Sequence, residues 1–572
     1  MFQMKRLLSL LLITGDVFAA KNYHCPPIGP VLPAPTNPSS HSKVKNAIEA
    51  LTETINAYAG QLHSSAVSVG VASIYEDKPL LDLHHTPENL DPRGVNKIDA
   101  DSVYRIGSVS KTYTTLAALK VRGLNMHDPV TKYVPELRRL NKQQKVNNAI
   151  TTVDWDKVSM NALASHMGGV PADLPTDITS FNHNWTELGL PVAHDVLGCA
   201  GFVGVPPCTV QHFWDNFGKR PPTFAPGRNP VYSNMAFFVM SLVIERVSGE
   251  KFEEFVQKNV LDVAGMKSTT YTKPDDSVGA IGPDDIFWNT SVGIMNPAGS
   301  YYSSTNDLLA FGSSILKHEF LDIAETNKWL KPVTFTGGRG MFLGAPWEIV
   351  RSNKLTSDER VVDVYTKGGD LGTYHSSFAM IPDYGIIISV LATGPEISGA
   401  VPSLFFSMIT TALAPALEAA GKYQAEKTFA GTYANEETNS TLILEVDHEG
   451  PGLSITEWTV RGTEVSSHWL NYIAPFVPSV PKMSLSGRLY PTDLSAGDKT
   501  AWRAMFRLGT VQQAEMQESL FFWEDASCMT WALVDRAVYE FLGLDEMVFK
   551  NEDGRAGEVE LVGFQTTLKR VE

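Results

Sequence analysis

YRIGSVSKTYTTLAALKVRG, residues 104–123, runs from a short branched segment through a glycine into an amphipathic stretch. Val109, Tyr113, Leu116 and Ala117 recur at spacings of four, three and one, which is one face of a helix, and Gly123 closes it. Ser108 opens that helix. Lys111 follows three residues later, so hydroxyl and amine lie one above the other on the same face. Serine is a weak nucleophile until a neighbouring base takes its proton, and a partly buried lysine does so if its pKa is lowered. The same S-x-x-K spacing also starts at Ser40, Ser42, Ser248, Ser314 and Ser479, so spacing alone selects nothing. Only Ser108 sits between a strand-like segment and the first turn of a strong helix, with a glycine before it, so that the helix N-terminus points at the hydroxyl.

Two further segments carry chemistry. In FAPGRNPVYSNMAFFVMSLVIERVSG, residues 224–249, a proline-rich loop delivers Tyr232 and Asn234 just before an apolar helix, where both can face a cleft. Lys367-Gly368-Gly369 follows VVDVYT, which reads as a strand over 361–366 with the lysine at its end; the glycines let a substrate backbone approach, and a cation beside them suits an anionic or oxyanionic ligand.

Around these segments the chain reads as α+β. Ala47 to Tyr58 is helical; Ala66 to Tyr75 alternates as a strand, turns at 76–78 and returns through Pro79 to Leu83 as a hairpin. Strands recur at 361–366, 374–381 and 385–392, the last two joined by Pro382-Asp383-Tyr384-Gly385. Strands at both ends of a mainly helical or irregular middle imply one antiparallel sheet completed by distant segments and flanked by helices, an α/β sandwich with a helical subdomain. A Pro/Gly-rich insertion fills about 171–230 and is expected to roof the cleft. Residues 397–417 carry no charge and are long enough to span a bilayer, but Pro402, Pro415 and six Ser, Thr or Gly residues favour a helix buried against the sheet, and no stable membrane insertion is expected. From 425 to 572 short alternating runs, many turns and scattered Trp458, Trp469, Trp502, Trp523 and Trp531 suggest a separate β-rich domain.

The order SVSK, YSN, KGG, with LASHMGGVP at 163–171 and PAGSYYSSTNDLLAF at 297–311, resembles the serine β-lactamase and penicillin-binding-protein family, its class C branch and the related esterases, D-aminopeptidases and transesterases. The resemblance covers about residues 47 to 420, and the C-terminal part looks like the lipocalin-like β-barrel that some members append. It implies Ser108 as acylated nucleophile, Lys111 as its hydrogen-bonded partner, Tyr232 as general base and then acid, and Asn234 orienting substrate. Lys367 would supply positive charge, with Gly368 and Gly369 beside the substrate and the backbone N–H groups of Ser108 and Asp370 as oxyanion hole. Two ammonium groups near a phenol lower its pKa from about 10, whereas neutral Lys111 at pH 7 needs a shift of about 3 units, roughly 4 kcal/mol, so shared proton transfer is expected. Lactamases of this branch carry a hydroxyl residue where Gly368 stands, so β-lactam hydrolysis is not the expected activity.

The remaining features set compartment and exclude classes. A net charge of -16 and a pI near 5.4 disfavour nucleic acid and anionic membranes. An apolar content of 43% with only 19% charge describes a globular chain, long enough for two domains. Residues 1–19 read as a secretory signal and 20–43 as a Pro-rich leader, ahead of a catalytic domain over 44–424 and a β domain over 425–572. Asn184, Asn289 and Asn439 begin N-x-S/T sequons, and four cysteines allow two disulfides, for which Cys199 with Cys208 and Cys25 with Cys528 are the expected pairs. Neither G-x-S-x-G nor H-E-x-x-H occurs. His166 and the pair His84-His85 read as packing or surface residues, Gly337 to Gly344 as a loop, and no metal or cofactor is expected. The expected function is a secreted serine hydrolase acting through an acyl-enzyme on a small-molecule or peptide ester or amide. An acyltransferase or transesterase of secondary metabolism, and a non-catalytic binding protein of the same fold, are the alternatives, and the oligomeric state stays open.

Overall fold

Ala66–Ser73 forms β1, where Val67, Val69 and Val71 alternate with Ser68, Gly70 and Ala72, and it pairs with Leu81–His85, β2, so that Val67 lies opposite His85. The computed structural model describes residues 25–201, 204–447, 450–473, 487–506 and 530–571. Two two-residue strands, β3 (Tyr104–Arg105) and β4 (Tyr302–Ser303), pair with each other. The main sheet is completed by β5 (Thr334–Phe335), β6 (Met341–Leu343), β7 (Glu348–Ser352), β8 (Val362–Leu371), β9 (Tyr374–Ile381) and β10 (Ile386–Thr393). Its order is β2-β1-β10-β9-β8-β7-β6-β5, antiparallel throughout, so the first and last strands in sequence meet in the middle.

Both faces of this sheet are buried, and alternate residues of one strand serve different cores. Ile386, Ile388 and Val390 pack with Val44, Leu51 and Ile55 of helix α1 (Ser42–Ala59) and with Phe405, Ile409 and Leu413 of the long helix Ala400–Thr428. Ile387 and Leu391 instead join the larger core of the central region, with Tyr113 and Leu116 of α2 (Ser110–Lys120), Phe237 of α3 (Asn234–Ser248) and Leu308 of α4 (Thr305–Leu316). Each such large apolar side chain contributes about 1.5–3 kcal/mol on burial. The result is an α+β sandwich with a mainly helical central region. The uncharged run 397–417 lies in the long helix, here α5, from Ala400 on, and the helix continues past Leu417 through Thr428. By length and composition α5 could cross a membrane, but half of its most apolar window is buried and its stripe packs on the sheet.

Among the described residues, the second compact unit is built from 25–33, 356–360 and those from 421 on, and the first from 34–355 and 361–420. Its strands are β11 (Gly431–Asn435), β12 (Ser440–Glu445), β13 (Leu453–Val460), β14 (Thr463–Glu464), β15 (Gly487–Ala496), β16 (Lys499–Phe506), a small separate pair β17 (Val538–Tyr539) and β18 (Leu542–Gly543), then β19 (Glu546–Glu552), β20 (Arg555–Leu561) and β21 (Thr566–Arg570). They run β12-β11-β21-β20-β19-β16-β15-β13, and β13 pairs back onto β12, closing an eight-stranded barrel that β14 extends at one end. Closure removes free strand edges. Trp458, Trp469 and Trp502 fill its core with Tyr433 and Phe549, Trp531 is exposed, and Trp523 lies outside the described residues.

The described part of the Pro-rich leader packs: Val31 and Leu32 are buried, Leu32 in the barrel core, because a proline-rich segment can bury its apolar side chains without forming a helix or strand. Two expectations need correction. The sequence boundary at 424/425 sits inside α5, four residues after the division between the units. Lys367-Gly368-Gly369 lies within β8 and not beyond its end, because β9 continues to pair with it through Leu371. Cys199 and Cys208 form a disulfide. Cys25 is also disulfide-bonded, and Thr530 donates to its carbonyl oxygen; Cys528, its expected partner, lies outside the described residues, as do the expected signal at 1–19 and the first residues of the leader.

Candidate active site

Ser108 occupies a single tight turn, Gly107–Val109, that leads into α2, which itself begins at Ser110. Gly107 has φ +49, and a side chain there would come within 2.6 Å of the Asp370 nitrogen, so glycine is required on both counts. The turn is pinned from three sides. Ser376 Oγ of β9 donates to the Ile106 carbonyl at 2.8 Å, Ser110 Oγ donates to the Gly107 carbonyl at 2.7 Å, and the Tyr301 N–H donates back to Ser110 Oγ at 3.1 Å. The Ser108 turn thus rests against the end of β8. A Cβ on Gly369 would lie 2.1 Å from the Ile106 oxygen and 2.8 Å from the Ser108 nitrogen. The Ser108 and Asp370 amides therefore belong to one narrow cradle, as an oxyanion hole requires.

Lys111 is fully buried, and its Nζ donates to Ser108 Oγ at 2.9 Å, Asn234 Oδ1 at 2.7 Å and the Ala298 carbonyl at 2.8 Å. Burial pulls its pKa down, the Tyr232 phenol opposes that, Lys367 adds to it, and the net direction is below the ordinary lysine range. Asn234 heads α3, whose first turn is capped by Ser233 Oγ accepting from the Ala236 N–H. With its oxygen on Lys111, its amide nitrogen donates to Asp173 Oδ1 at 2.9 Å. Both ends of the expected substrate-orienting amide are therefore engaged within the protein, and Asn234 positions Lys111. Asp173 was not visible as a site residue in the sequence; burial raises its carboxyl, against the Asn234 hydrogen bond and the charge of Lys111.

Tyr232 precedes α3 with its ring stacked on His166, centroids 4.4 Å apart at 28°. Lys111 Nζ stands 4.8 Å and Lys367 Nζ 5.3 Å from the ring centroid. Partial desolvation pushes the Tyr232 phenol up, but the two ammonium groups and hydrogen bonds with Ser108 and Lys111 outweigh it, so the net direction is down. The residue is 42% exposed, which opens this cluster to solvent. His166 packs, as expected of it, but against the site: Nδ1 accepts from the Ser233 N–H at 3.1 Å, and burial first, then Lys111 and Lys367, drive its pKa well below the ordinary value. The insertion sprouts from this point. Its two ends are stitched together by Val231 N–H to His166 O and Asn234 N–H to Ala172 O, so the long loop leaves and returns beside Tyr232.

Lys367, 1% exposed, has a partner the sequence did not reveal. Its Nζ donates to Glu348 Oε1 at 2.7 Å and to the Gly368 carbonyl at 2.9 Å, and the Gly368 N–H donates to Glu348 Oε2 at 3.2 Å. Burial lowers Lys367, but Tyr232 and Glu348 outweigh it and the net direction is up. Asp370 turns its carboxylate away, onto His375 Nδ1 at 2.6 Å, leaving its backbone amide to the cradle. Of the expected site residues, the structure joins Ser108, Lys111, Tyr232 and Asn234 directly, brings Lys367 to Tyr232, and lays Gly368, Gly369 and Asp370 along β8 beside them. Asn184, Asn289 and Asn439 are all exposed and take no part.

A hydroxyl, two ammonium groups, a phenol of lowered pKa and two converging amides are the equipment of acyl transfer through a serine. The family profile described as "Beta-lactamase" matches residues 46–403, more than half of the chain, and the one described as "Beta-lactamase-like-like, C-terminal domain" matches 421–572. A beta-lactamase-like protein of Arthroderma benhamiae is 27% identical over 96% of this chain and 97% of its own length. A probable hydrolase of a Phoma species is 26% identical over 95% of this chain and 91% of its own. Among solved structures, a class C beta-lactamase covers 66% of this chain and 97% of its own at 17% identity, with a TM-score of 0.47. Matched over both its sandwich and its barrel, the chain belongs to the beta-lactamase family of serine-hydrolase fold and carries that family's beta-lactamase-like C-terminal domain.

Proposed function

We propose that this chain is a secreted serine hydrolase that cleaves an ester, amide or peptide of modest size through an acyl-enzyme on Ser108. The observation that carries the reading is the 2.9 Å contact of Lys111 Nζ with Ser108 Oγ beneath a phenol flanked by two ammonium groups. Lys111 Nζ donates to Ser108 Oγ, Asn234 Oδ1 and the Ala298 carbonyl, which suits a charged ammonium that holds Ser108 in place. Tyr232 is then the better proton acceptor, since both cations stabilise its phenolate. In the first half-reaction Ser108 Oγ attacks the carbonyl carbon while its proton passes to Tyr232. The oxyanion is held by the Ser108 and Asp370 amides, and collapse expels the alcohol or amine, which takes the proton from Tyr232. Water repeats the sequence: its proton passes to Tyr232, and collapse releases the acid while Ser108 Oγ takes that proton back.

Turnover of p-nitrophenyl butyrate by the wild type and by Ser108→Ala tests this. The expected loss is about 10^4-fold or more; equal turnover would overturn the assignment. The secretory part of the reading is supported by the three exposed sequons and the disulfides. Expression in a eukaryotic secretory host should release a chain trimmed near residue 19 whose mass falls on enzymatic deglycosylation; retention in the cytosol without trimming would refute it.

A further inference from the structure

Strand β7 begins at Glu348, opposite Thr366, and Lys367 to Leu371 of β8 run on past that end. The first amide on this edge free of strand pairing is that of Gly368, and Glu348 Oε2 accepts it at 3.2 Å. Two residues on, Asp370 presents its own amide in the same direction, because alternate residues of a strand share an orientation. A substrate whose carbonyl oxygen sits at Asp370 therefore extends along an edge whose next amide and whose cation, Lys367, are already taken by the carboxylate of Glu348. The Glu348 side chain is 26% exposed and so still faces what enters, and Asp370 adds a carboxylate side chain that is 67% exposed. The sequence suggested that a lysine beside two glycines is an anion receptor; in the folded chain that receptor is filled from within.

Resting on the hydrolase reading above, we propose that Glu348 is a specificity-determining residue that occupies the anion position beside Lys367 and restricts this enzyme to acyl substrates without a negative charge along β8. A substrate carboxylate arriving there finds no free amide and meets a like charge, whereas an uncharged ester or amide is unaffected. Both lysines of the site are already engaged, Lys111 with Ser108, Asn234 and Ala298, and Lys367 with Glu348 and the Gly368 carbonyl.

Two matched ester pairs test the proposal, one with the charge on the acyl side and one on the leaving group: p-nitrophenyl butyrate against mono-p-nitrophenyl succinate, and phenyl acetate against 3-acetoxybenzoate. In the wild type kcat/KM for an anionic member should fall about 10- to 100-fold below its neutral counterpart in at least one pair. Glu348→Gln, which keeps an oxygen for the Gly368 amide and removes the charge, should cut that discrimination to within about threefold while the neutral ester is still cleaved. Inhibition by phenylboronic acid against 3-carboxyphenylboronic acid should follow the same pattern. Equal handling of both members of both pairs by the wild type overturns the proposal, and so does discrimination that survives in Glu348→Gln. The wild-type comparison stands even if removing one partner of this ion pair prevents folding. Neutral-ester turnover that persists in Ser108→Ala would instead sink the hydrolase reading itself, a result separable from either of these.

Discussion

At the scale of single residues, Lys111 and Lys367 act on two stacked rings, favouring the anion of Tyr232 and the neutral form of His166. Tyr232 is held toward its phenolate by Lys111 and Lys367 against the partial desolvation of its ring, so the acid limb of kcat/KM on a neutral ester should level off below pH 10, the ordinary phenol value being about 10. Tyr232→Phe should lower kcat by about 10^2- to 10^4-fold and erase that limb, and a full pH profile of both enzymes checks it; an unchanged limb in the variant would assign the base elsewhere. His166, stacked under that ring, is held neutral by burial and by the two lysines. Its folded pKa lies below its unfolded value of about 6.5, so the unfolded chain takes up the proton first, and the associated stability is present above about pH 6.5 and lost as pH falls below it. The fall in Tm between about pH 7.5 and about pH 5 should therefore be smaller in His166→Asn than in the wild type, and equal falls would contradict it.

At the scale of elements, the site is made by the turn before α2 pressing on β8, and two adjacent glycines of that strand do unlike things. A Cβ on Gly369 would meet the Ile106 oxygen at 2.1 Å, whereas one on Gly368 finds nothing nearer than Glu348 Oε2 at 3.9 Å. Gly369→Ala should cost about 1–3 kcal/mol by overpacking, and Gly368→Ala should leave stability within about 0.5 kcal/mol, as read by denaturant unfolding. Equal costs would mean that the turn does not rest on the strand. This contrast also marks how far the sequence reaches. The helix after Ser108, the strands over 374–381 and 385–392 and the grouping of Ser108, Lys111, Tyr232 and Lys367 were legible, because local periodicity and motif order encode them. Glu348 was not, since a lone glutamate acquires its meaning only from the register that sets it opposite Thr366. Asp173 and the Ala298 carbonyl escaped for the same reason, being brought in by α3 and by the turn before Ser300. His166 was read as packing, but what it packs on lies 66 residues away in sequence.

At the scale of the whole molecule, the sandwich and the barrel each own a core, and the barrel's is built around Trp502, Phe549 and Tyr433. Separate cores in one chain are expected to melt as separate cooperative units. Trp502→Ala should remove about 3–5 kcal/mol from the barrel alone, so calorimetry should show one transition moving down while another stays, with ester turnover at about 25 °C kept within about twofold. A single transition that moves as a whole would contradict independent cores. What the molecule is for still turns on one oxygen atom. The most direct test is to treat the full chain with a fluorophosphonate and map the adduct by mass spectrometry, beside Ser108→Ala. A single adduct on Ser108, absent from the variant, is the predicted result, and labelling at another residue or none in an enzyme that still cleaves esters would contradict the account.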